Sequence, residues 1–400
     1  MKPLAALALS SACAFGALPE RVVVGYWQNW SPLRLPEIHR AYNVVELAFA
    51  TTRAGSDHDL QFDLPTGYQR SVFLADLDTL HARGVSVILS VGGASDPVRL
   101  TTDAQRDRFV FTLDSILQAH QDKIDGIDLD FESTSMDFGD WTLANPAPGQ
   151  TRIVDAVKTV MQAFRARTGR KLLLTMAPEV VYIQGGLSRW QTDNYHGGAW
   201  IPVIEELLDS LDLLMPQYYN AGGASGGIYA HDGKVYYDTG DPDFVTSMTE
   251  TIILGFELLD GRGTFGGVPA SKVAVGLPAS DCDAAGSGYV KPESLSLALR
   301  YLRGEIPKPT GFSYTVRTPR PTLRGVMTWS INLDATSCDG EWSFATNAAQ
   351  AVQSVSVSRH AASPIAPPDW FHLHDPLGRA GPSGLDRLFH ASRGDPTPPR

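Results

Sequence analysis

The chain has 400 residues, of which 43% are hydrophobic and 19% are charged, a balance that supports a large folded core and excludes a disordered chain. Its formal net charge of -11 disfavours binding of nucleic acid or another polyanion through bulk electrostatics, so a neutral polymer is a better match. Because an eight-stranded α/β barrel runs to about 250 residues or more as one domain, we expect one large domain with extensions.

The first 17 residues contain one positive charge, Lys2, followed by an apolar run of small residues and leucines. This pattern is typical of a secretory signal peptide, with cleavage expected after Ala14 or Ala17. It predicts a secreted, extracellular protein, and no later segment approaches the roughly 18–20 apolar residues that a membrane helix needs. The expected organisation is a signal peptide at 1–17, a folded domain at 18–352, and a proline-rich, disordered tail at 353–400.

Short aliphatic runs alternate with segments of helical period along the folded region. Eight runs predict strands, at 22–30, 43–50, 86–91, 126–132, 171–177, 211–218, 272–277 and 325–331. Gly84 and Gly169 stand where two of the intervening helices should end. Eight such repeats predict a (β/α)8 TIM barrel with functional residues at the C-terminal ends of the strands. An open doubly wound sheet is the alternative.

The fourth run, DGIDLDFE at 125–132, has the strongest functional signal. Asp128, Asp130 and Glu132 share one face of a strand, with about 6.6 Å between successive positions, while the apolar residues between them face the helices. Three carboxylates this close cannot all ionise readily, so at least one pKa should rise. Glu132 is last on the strand and has the longest reach, which makes it the predicted proton donor. Asp125 has the opposite parity and is expected to be structural. A metal-binding acidic cluster is the alternative.

These residues resemble the signature of the family 18 glycoside hydrolases, the chitinase family, which is Asp-x-x-Asp-x-Asp-x-Glu on strand four. A second family motif, Ser-x-Gly-Gly on strand three, is matched by Ser90, Gly92 and Gly93, whose glycines would let the backbone pass close under the acidic row. Further matches end later strands, at 176–179, 215–220 and 327–332. Many members insert an α+β domain between strands seven and eight, but the interval here is too short for one. We therefore expect an open cleft.

The resemblance implies a secreted endochitinase that hydrolyses β-1,4 bonds between N-acetylglucosamine units with retention, using the 2-acetamido oxygen of the substrate as nucleophile. Asp130 would orient the acetamido group, Asp128 would share a proton with Asp130, and Glu132 would act first as acid and then as base. Tyr219 would donate a hydrogen bond to the acetamido group, and Trp329 would form the floor under the reacting sugar. The other expected substrate contacts are Met176, Met215, Gln217 and Tyr26. Trp27, Trp30, Trp190 and Trp200 are candidate sugar platforms or core residues.

The implied partner is chitin or another N-acetylglucosamine polymer, with no nucleic acid, no membrane, and a monomeric protein that needs no metal or organic cofactor. An endo-β-N-acetylglucosaminidase acting on N-glycans would use the same residues, and a non-catalytic chitin-binding lectin can share the barrel. Both stay open as alternatives. Beyond the leader, the cysteines are Cys282 and Cys338, in loops on the same rim of adjacent strands. A disulfide between them is therefore predicted.

Overall fold

A computed structural model describes residues 17–187, 197–221, 237–282 and 287–353. Nearly all of the predicted leader, the proline-rich tail after 353, and Trp190 lie outside the described residues. Within the described ranges, no helix is both long and apolar enough to cross a membrane.

Eight parallel strands form the barrel in the described part of the chain. They are β1 (Val22–Gln28), β2 (Val44–Thr52), β3 (Ser86–Gly92), β4 (Gly126–Asp130), β5 (Leu173–Met176), β6 (Leu213–Leu214), β7 (Ala274–Pro278) and β8 (Gly325–Trp329). Hydrogen-bonded neighbours follow the order β7-β8-β1-β2-β3-β4-β5-β6, and parallel bridges from Leu214 to Val273 and from Gln217 to Gly276 bring β6 back to β7. The predicted (β/α)8 barrel is confirmed, and the open doubly wound sheet is wrong.

Helices surround this barrel. They are α1 (Arg70–Ala82), α2 (Asp103–Ala119), α3 (Pro148–Thr168), α4 (Ile201–Leu207), α5 (Pro242–Leu254), α6 (Pro292–Arg303), the short α7 (Ile331–Asp334) and α8 (Ser343–Val352). Short antiparallel strands lie outside the barrel, where Leu60–Gln61 pairs with β2 and Phe256–Glu257 pairs with Thr264–Phe265. Gly84 and Gly169, which follow α1 and α3, both have positive φ, as expected at helix ends.

The connection between β1 and β2 departs from the alternating pattern. It contains a 3-10 turn at Leu35–Glu37 and no α-helix. Pro32 and Pro36 interrupt this short segment, and proline removes a backbone donor and blocks a continuous helix. Helix α8, the last one in the described residues, packs against β1 and β8 instead.

Side chains of the strands alternate between two buried layers because successive residues point to opposite faces. Ile127, Leu129 and Phe131 belong to the outer layer, between barrel and helices. The inner layer fills the barrel, and its apolar members include Val22, Val24, Val44, Ile88, Leu173, Leu213 and Met327. Polar side chains are also buried inside the barrel. They include Asp128 and Asp130 on β4, so the interior is acidic near the C-terminal end of that strand.

The interval between β7 and β8 contains one helix, α6, and no further strand among its described residues, 279–282 and 287–324. No α+β insertion domain is present there, as the length of the interval predicted. Cys282, just after β7, and Cys338, shortly after α7, are joined by a disulfide with a Cα–Cα distance of 6.4 Å. The bond ties together two loops at the C-terminal rim of the barrel.

We expect the double variant Cys282→Ser/Cys338→Ser to lose about 2–4 kcal/mol in the free energy of unfolding, because unlinking residues 56 apart restores chain entropy to the unfolded state. Urea unfolding of both proteins measures this difference. As a control, reductant should destabilise the wild type to the same extent and leave the double variant unchanged. Two reactive thiols in the unfolded, unreduced protein would contradict the pairing.

Candidate active site

Asp128, Asp130 and Glu132 form a row of carboxyl groups along β4 and just beyond it, here called the β4 row. The register of three neighbouring strands positions this row. Asp128 on β4 is paired with Ser90 on β3 and with Thr175 on β5, so these three side chains lie in one layer of the barrel. Exposure rises along the row, since Asp128 and Asp130 are buried while Glu132, just beyond β4, is partly exposed. Glu132 is thus the member of this row that reaches furthest towards solvent.

Asp128 is held by three hydroxyl groups. Its Oδ2 accepts hydrogen bonds from Tyr26 at 2.8 Å and from Ser90 at 2.7 Å, and its Oδ1 accepts one from Thr175 at 2.8 Å. Burial raises the pKa of Asp128, and the three hydroxyl donors oppose that rise because they stabilise the charged form. The carboxyl group is therefore fixed in position.

Asp130 and Glu132 form a hydrogen-bonded pair above Asp128. The amide Nε2 of Gln217 donates to Asp130 Oδ1 at 2.9 Å and to Glu132 Oε1 at 3.1 Å, and is also within 2.9 Å of the carbonyl oxygen of Ala177. Burial raises the pKa of Asp130 well above its usual value, and the charges of Glu132 and Asp128 add to this effect. Burial also raises the pKa of Glu132. Both shifts favour the protonated form of these carboxyls, which is the form that general acid catalysis requires.

A cleft with a volume of about 450 Å³ opens above this pair, within the range of small-molecule sites. Asp130, Glu132, Gln217 and Tyr219 line it together with Trp329. Burial raises the pKa of Tyr219 well above its usual value, and the surrounding carboxylates raise it further, so its hydroxyl group stays protonated. Donors and a proton source therefore converge on one side of the cleft.

Three aromatic rings, Trp30, Phe49 and Trp329, line the cleft as an aromatic floor. The rings of Phe49 and Trp329 are stacked with centroids 5.6 Å apart and an interplanar angle of 14°. Trp30 lies 6.2 Å from Trp329 and is 60% exposed. Flat apolar faces of this kind suit the apolar faces of sugar rings. Phe49 was not among the predicted site residues, although its place near the end of β2 is a signal that could have identified it.

Gly92 and Gly93 let the backbone of β3 approach β4 closely. Both have positive φ, and a Cβ on Gly92 would lie 2.5 Å from the carbonyl oxygen of Asp130. The amide of Gly93 donates to that same oxygen at 2.8 Å. The two glycines therefore allow the backbone of β3 to lie close beneath the β4 row, as the sequence motif suggested.

Several residues assigned to substrate contact lie elsewhere. Tyr26 is buried beneath the cleft, where it holds Asp128, and Met215 is buried inside the barrel; neither lines the cleft. Met176 points into the outer layer because its neighbour Thr175 points inwards. We therefore correct these three assignments to positions in the barrel core or in support of Asp128.

Among the candidate tryptophans, Trp27 and Trp200 are fully buried core residues, and Trp200 stacks on Phe131. Asp125 points outwards at the base of β4, where it contacts His81 Nε2 at 2.9 Å, Arg170 Nη1 at 3.2 Å and the amide of Val87 at 3.0 Å. Its position agrees with a structural role. The described residues contain no group of three or more His, Cys, Asp or Glu side chains suited to a metal ion.

Glu179, just after β5, is an additional acidic group near Glu132. Its pKa is raised to about 7 by burial and by the charge of Glu132, while the amide of Ser133, which donates to Glu179 Oε2 at 3.2 Å, opposes the rise. The motif at 176–179 contains Glu179, but the sequence alone did not indicate its coupling to Glu132.

A second cavity of about 410 Å³ lies between the strand at Leu60–Gln61 and α2. Arg53, Arg70 and Arg108 contribute its cationic groups, and none of the carboxylates of the β4 row lines it. Acid–base chemistry is therefore favoured at the first cleft, which Asp130 and Glu132 line with raised pKa values.

The chain is similar to known proteins in sequence and in fold. The family model described as "Glycosyl hydrolases family 18" matches residues 22–301. The chain is 35% identical over 355 residues to "Chitinase ChiA" of Flavobacterium johnsoniae, covering 83% of this chain and 22% of that protein. It is 36% identical over 327 residues to "Chitinase Chi52" of Paenibacillus xylanexedens, covering 78% and 58%. The chain thus spans only part of the length of these relatives.

The fold comparison includes the crystal structure of a family GH18 chitinase from Chromobacterium violaceum. It has a TM-score of 0.72 and 30% sequence identity, and the match covers 84% of this chain and 85% of that one. The family model ends before β8, whereas the structure places Trp329 from β8 in the cleft.

The proximity of Glu179 to Glu132 leads to a pH prediction. Above about pH 7 Glu179 is ionised, and its negative charge disfavours ionisation of Glu132, which keeps the acid protonated. We expect Glu179→Gln to move the alkaline limb of kcat/KM on soluble N-acetylglucosamine oligomers to lower pH, by about 0.5–1 unit. Glu206→Gln, a change at an exposed side chain on α4, is the matched control and should leave the limb in place. An alkaline limb that stays or moves upwards in Glu179→Gln would exclude the coupling.

Proposed function

The chain belongs to family 18 of the glycosyl hydrolases, and from this premise we propose that it is an endochitinase that cleaves β-1,4 bonds between N-acetylglucosamine units. The observation that carries this proposal is the pair of Asp130 and Glu132, which share the donor Gln217 and both have a raised pKa, at the base of a cleft with an aromatic floor. The names of the chitinase relatives agree with it.

In this proposal Glu132 protonates the leaving glycosidic oxygen and later activates water. It is the carboxyl of the β4 row that combines a raised pKa with partial exposure, and the cleft gives it access to a bound sugar. Gln217 orients its Oε1 at 3.1 Å. Tyr219 and Asp130, which also line the cleft, hold the acetamido group.

The relative position of Asp130 and Glu132 supports substrate-assisted retention. Retaining enzymes with a carboxylate nucleophile place two carboxyl groups about 5–5.5 Å apart, flanking the scissile bond. Here Asp130 lies two residues before Glu132 on the same face of one strand and is hydrogen-bonded to it, so the two approach the sugar from one side. The internal nucleophile is then the acetamido oxygen, and Asp130 stabilises the positive charge that develops on the acetamido group.

The two alternatives differ from this proposal in substrate or in chemistry. An endo-β-N-acetylglucosaminidase would act on N-glycans with the same acid, and a lectin would bind without cleaving. The pair of Asp130 and Glu132 argues against the lectin, because such relatives typically lack the acid that Glu132 provides. The named relatives of at least 30% identity favour chitin over N-glycans.

Secretion is part of the proposal. The leader-like pattern of residues 1–17 and the disulfide between Cys282 and Cys338 both support export to an oxidising compartment. We also propose residues 18–352 as the catalytic domain, and a monomer that takes chitin as its partner and needs no metal, nucleic acid or membrane.

The main test is the variant Glu132→Gln, which removes the proton and keeps the shape of the side chain. We expect kcat on chitin oligomers to fall by about 10²–10⁴, and further if Glu132 also serves as base, with binding to chitin retained. Glu206→Gln is the matched control and should keep wild-type activity. Near wild-type turnover by purified Glu132→Gln would disprove the assignment of the acid.

The same assay with a substrate panel separates the alternatives. Chitin oligomers should be cut, whereas fully deacetylated chitosan and cellulose oligomers should not, since they lack the acetamido nucleophile. Preferential cleavage of a high-mannose glycopeptide would favour the endo-β-N-acetylglucosaminidase, and binding without cleavage of either substrate would favour the lectin.

Endo-type cutting is supported by the openness of the cleft. No insertion domain stands between β7 and β8 in the described residues, and Trp30 extends the aromatic floor while 60% exposed. A cleft without that wall encloses fewer sugar units, so the polymer should be released after each cut. The loop at 222–240, which could supply another wall, lies mostly outside the described residues.

We therefore expect a rapid early fall in the viscosity of a long soluble chitin derivative, with oligomers of mixed length as products. The measurement follows viscosity and product lengths together from the first minutes. Dimers that form almost alone from the start would show processive or exo-type cutting instead.

A further inference from the structure

Glu46 is a fully buried carboxyl group that has no role in the reaction proposed above. It lies on β2 between Val44 and Ala48, and shares their inward direction. The strand register pairs it with Tyr26 on β1 and with Ile88 on β3, one inward-facing layer below the layer of Ser90 and Asp128. Glu46 is therefore a fourth carboxyl inside the barrel, beneath the three of the β4 row.

Thr175 connects Glu46 to Asp128. Its Oγ1 lies 3.3 Å from Glu46 Oε1 and 2.8 Å from Asp128 Oδ1. A threonine hydroxyl has a single hydrogen, so it can donate to only one of these two carboxyls. The shorter distance assigns that hydrogen to Asp128, and the contact with Glu46 then needs a hydrogen from Glu46 itself.

The surroundings of Glu46 favour the neutral acid. Its second oxygen, Oε2, is buried and has no hydrogen-bond partner among the described residues, a far greater cost for an ionised carboxylate than for a neutral carbonyl oxygen. The titratable groups that face it are Asp128 on β4 and Tyr26 on β1, and neither supplies positive charge. Burial, together with the charge of Asp128, raises the pKa of Glu46 well above its usual value.

We propose that Glu46 is a positioning residue: as a neutral acid it donates a hydrogen bond to Thr175 and thereby commits the hydroxyl hydrogen of Thr175 to Asp128. Asp128 then keeps all three of its hydroxyl donors, which favours its ionised form over the sharing of a proton with Asp130 that the family resemblance implied. Its charge holds the shared proton on the pair of Asp130 and Glu132 above it. This inference rests on the proposed function, because it assigns Glu46 a part in setting the proton on that pair.

The first test compares Glu46→Met with Glu46→Gln. Methionine has a similar length but no donor, whereas the glutamine amide can still donate to Thr175. We expect kcat on chitin oligomers to fall about ten-fold in Glu46→Met with KM within about two-fold, and Glu46→Gln to recover most of that loss. Unchanged kcat in folded Glu46→Met, or equal losses in both variants, would overturn the proposal.

Thr175→Val tests the route of the effect. If Glu46 acts through Thr175, adding Glu46→Met to Thr175→Val should cause little further loss of kcat, because the hydroxyl bridge is already gone. Full additivity of the two losses would show that Glu46 acts in some other way.

The pH profile provides a test that does not depend on Glu46→Met folding. If Glu46 is neutral in the wild type, Glu46→Gln removes no charge and should leave the alkaline limb of kcat/KM in place. A move of that limb to lower pH by more than about 0.5 unit would mean that the wild-type side chain is ionised, which would overturn the proposal.

Thermal unfolding separates this inference from the proposed function because it needs no substrate. A carboxyl that is neutral when folded and ionised when unfolded makes the wild type less stable as pH rises above its unfolded pKa, about 4.5. Glu46→Gln lacks this loss, so its Tm should gain on the wild-type Tm progressively between about pH 4.5 and 8. A Tm difference independent of pH would overturn the neutral assignment. If the wild type cuts no chitin while this difference grows, the proposed function fails and the protonation of Glu46 stands.

Discussion

The structure depends on how a carboxyl group is held inside the barrel at Asp128. Moving an isolated carboxylate from water into the barrel has a free-energy cost larger than the gain from a hydrophobic contact. Three charge-assisted hydrogen bonds to Asp128 offset that cost. The donors, Tyr26, Ser90 and Thr175, come from β1, β3 and β5. They can converge only if the strands keep their register, so the same contacts stabilise the barrel and fix the base of the active site.

This constraint also sets the electrostatics above Asp128. No cation contributes to the pKa shifts of Asp128, Asp130 or Glu132, so burial and mutual repulsion decide their protonation. The pKa of the next carboxyl up the strand, Asp130, is raised well above its usual value by burial and by the charges of Glu132 and Asp128, which favours a proton on its pair with Glu132. Gln217 donates to both members of that pair, which fixes their orientation without adding charge.

The sequence predicted the barrel through its eight alternating strand and helix segments, and it predicted the shared face of the β4 row through the two-residue period of a strand. That period could also have placed Met176 correctly: Thr175 faces inwards, so its neighbour must face the helices. Pro32 and Pro36 were a local signal against a helix between β1 and β2, whereas the packing of α8 on β1 joins segments far apart in sequence and was harder to foresee. Glu46 left one signal, a lone acidic residue in the apolar run at 44–50, but the sequence cannot show that Thr175 and Asp128 lie beside it. Such contacts between distant strands arise only when the barrel closes.

The four carboxyls inside the barrel form a gradient of exposure. Glu46 and Asp128 are fully buried, Asp130 is 3% exposed, and Glu132 is partly exposed. A general acid that later activates water needs enough burial to raise its pKa and enough access to meet substrate and solvent. Only the top position of the row offers both, which supports Glu132 as the proposed proton donor. Glu46 and Asp128 are fully buried and do not line the cleft, so they can act on Glu132 only through the charges and hydrogen bonds of the groups between them.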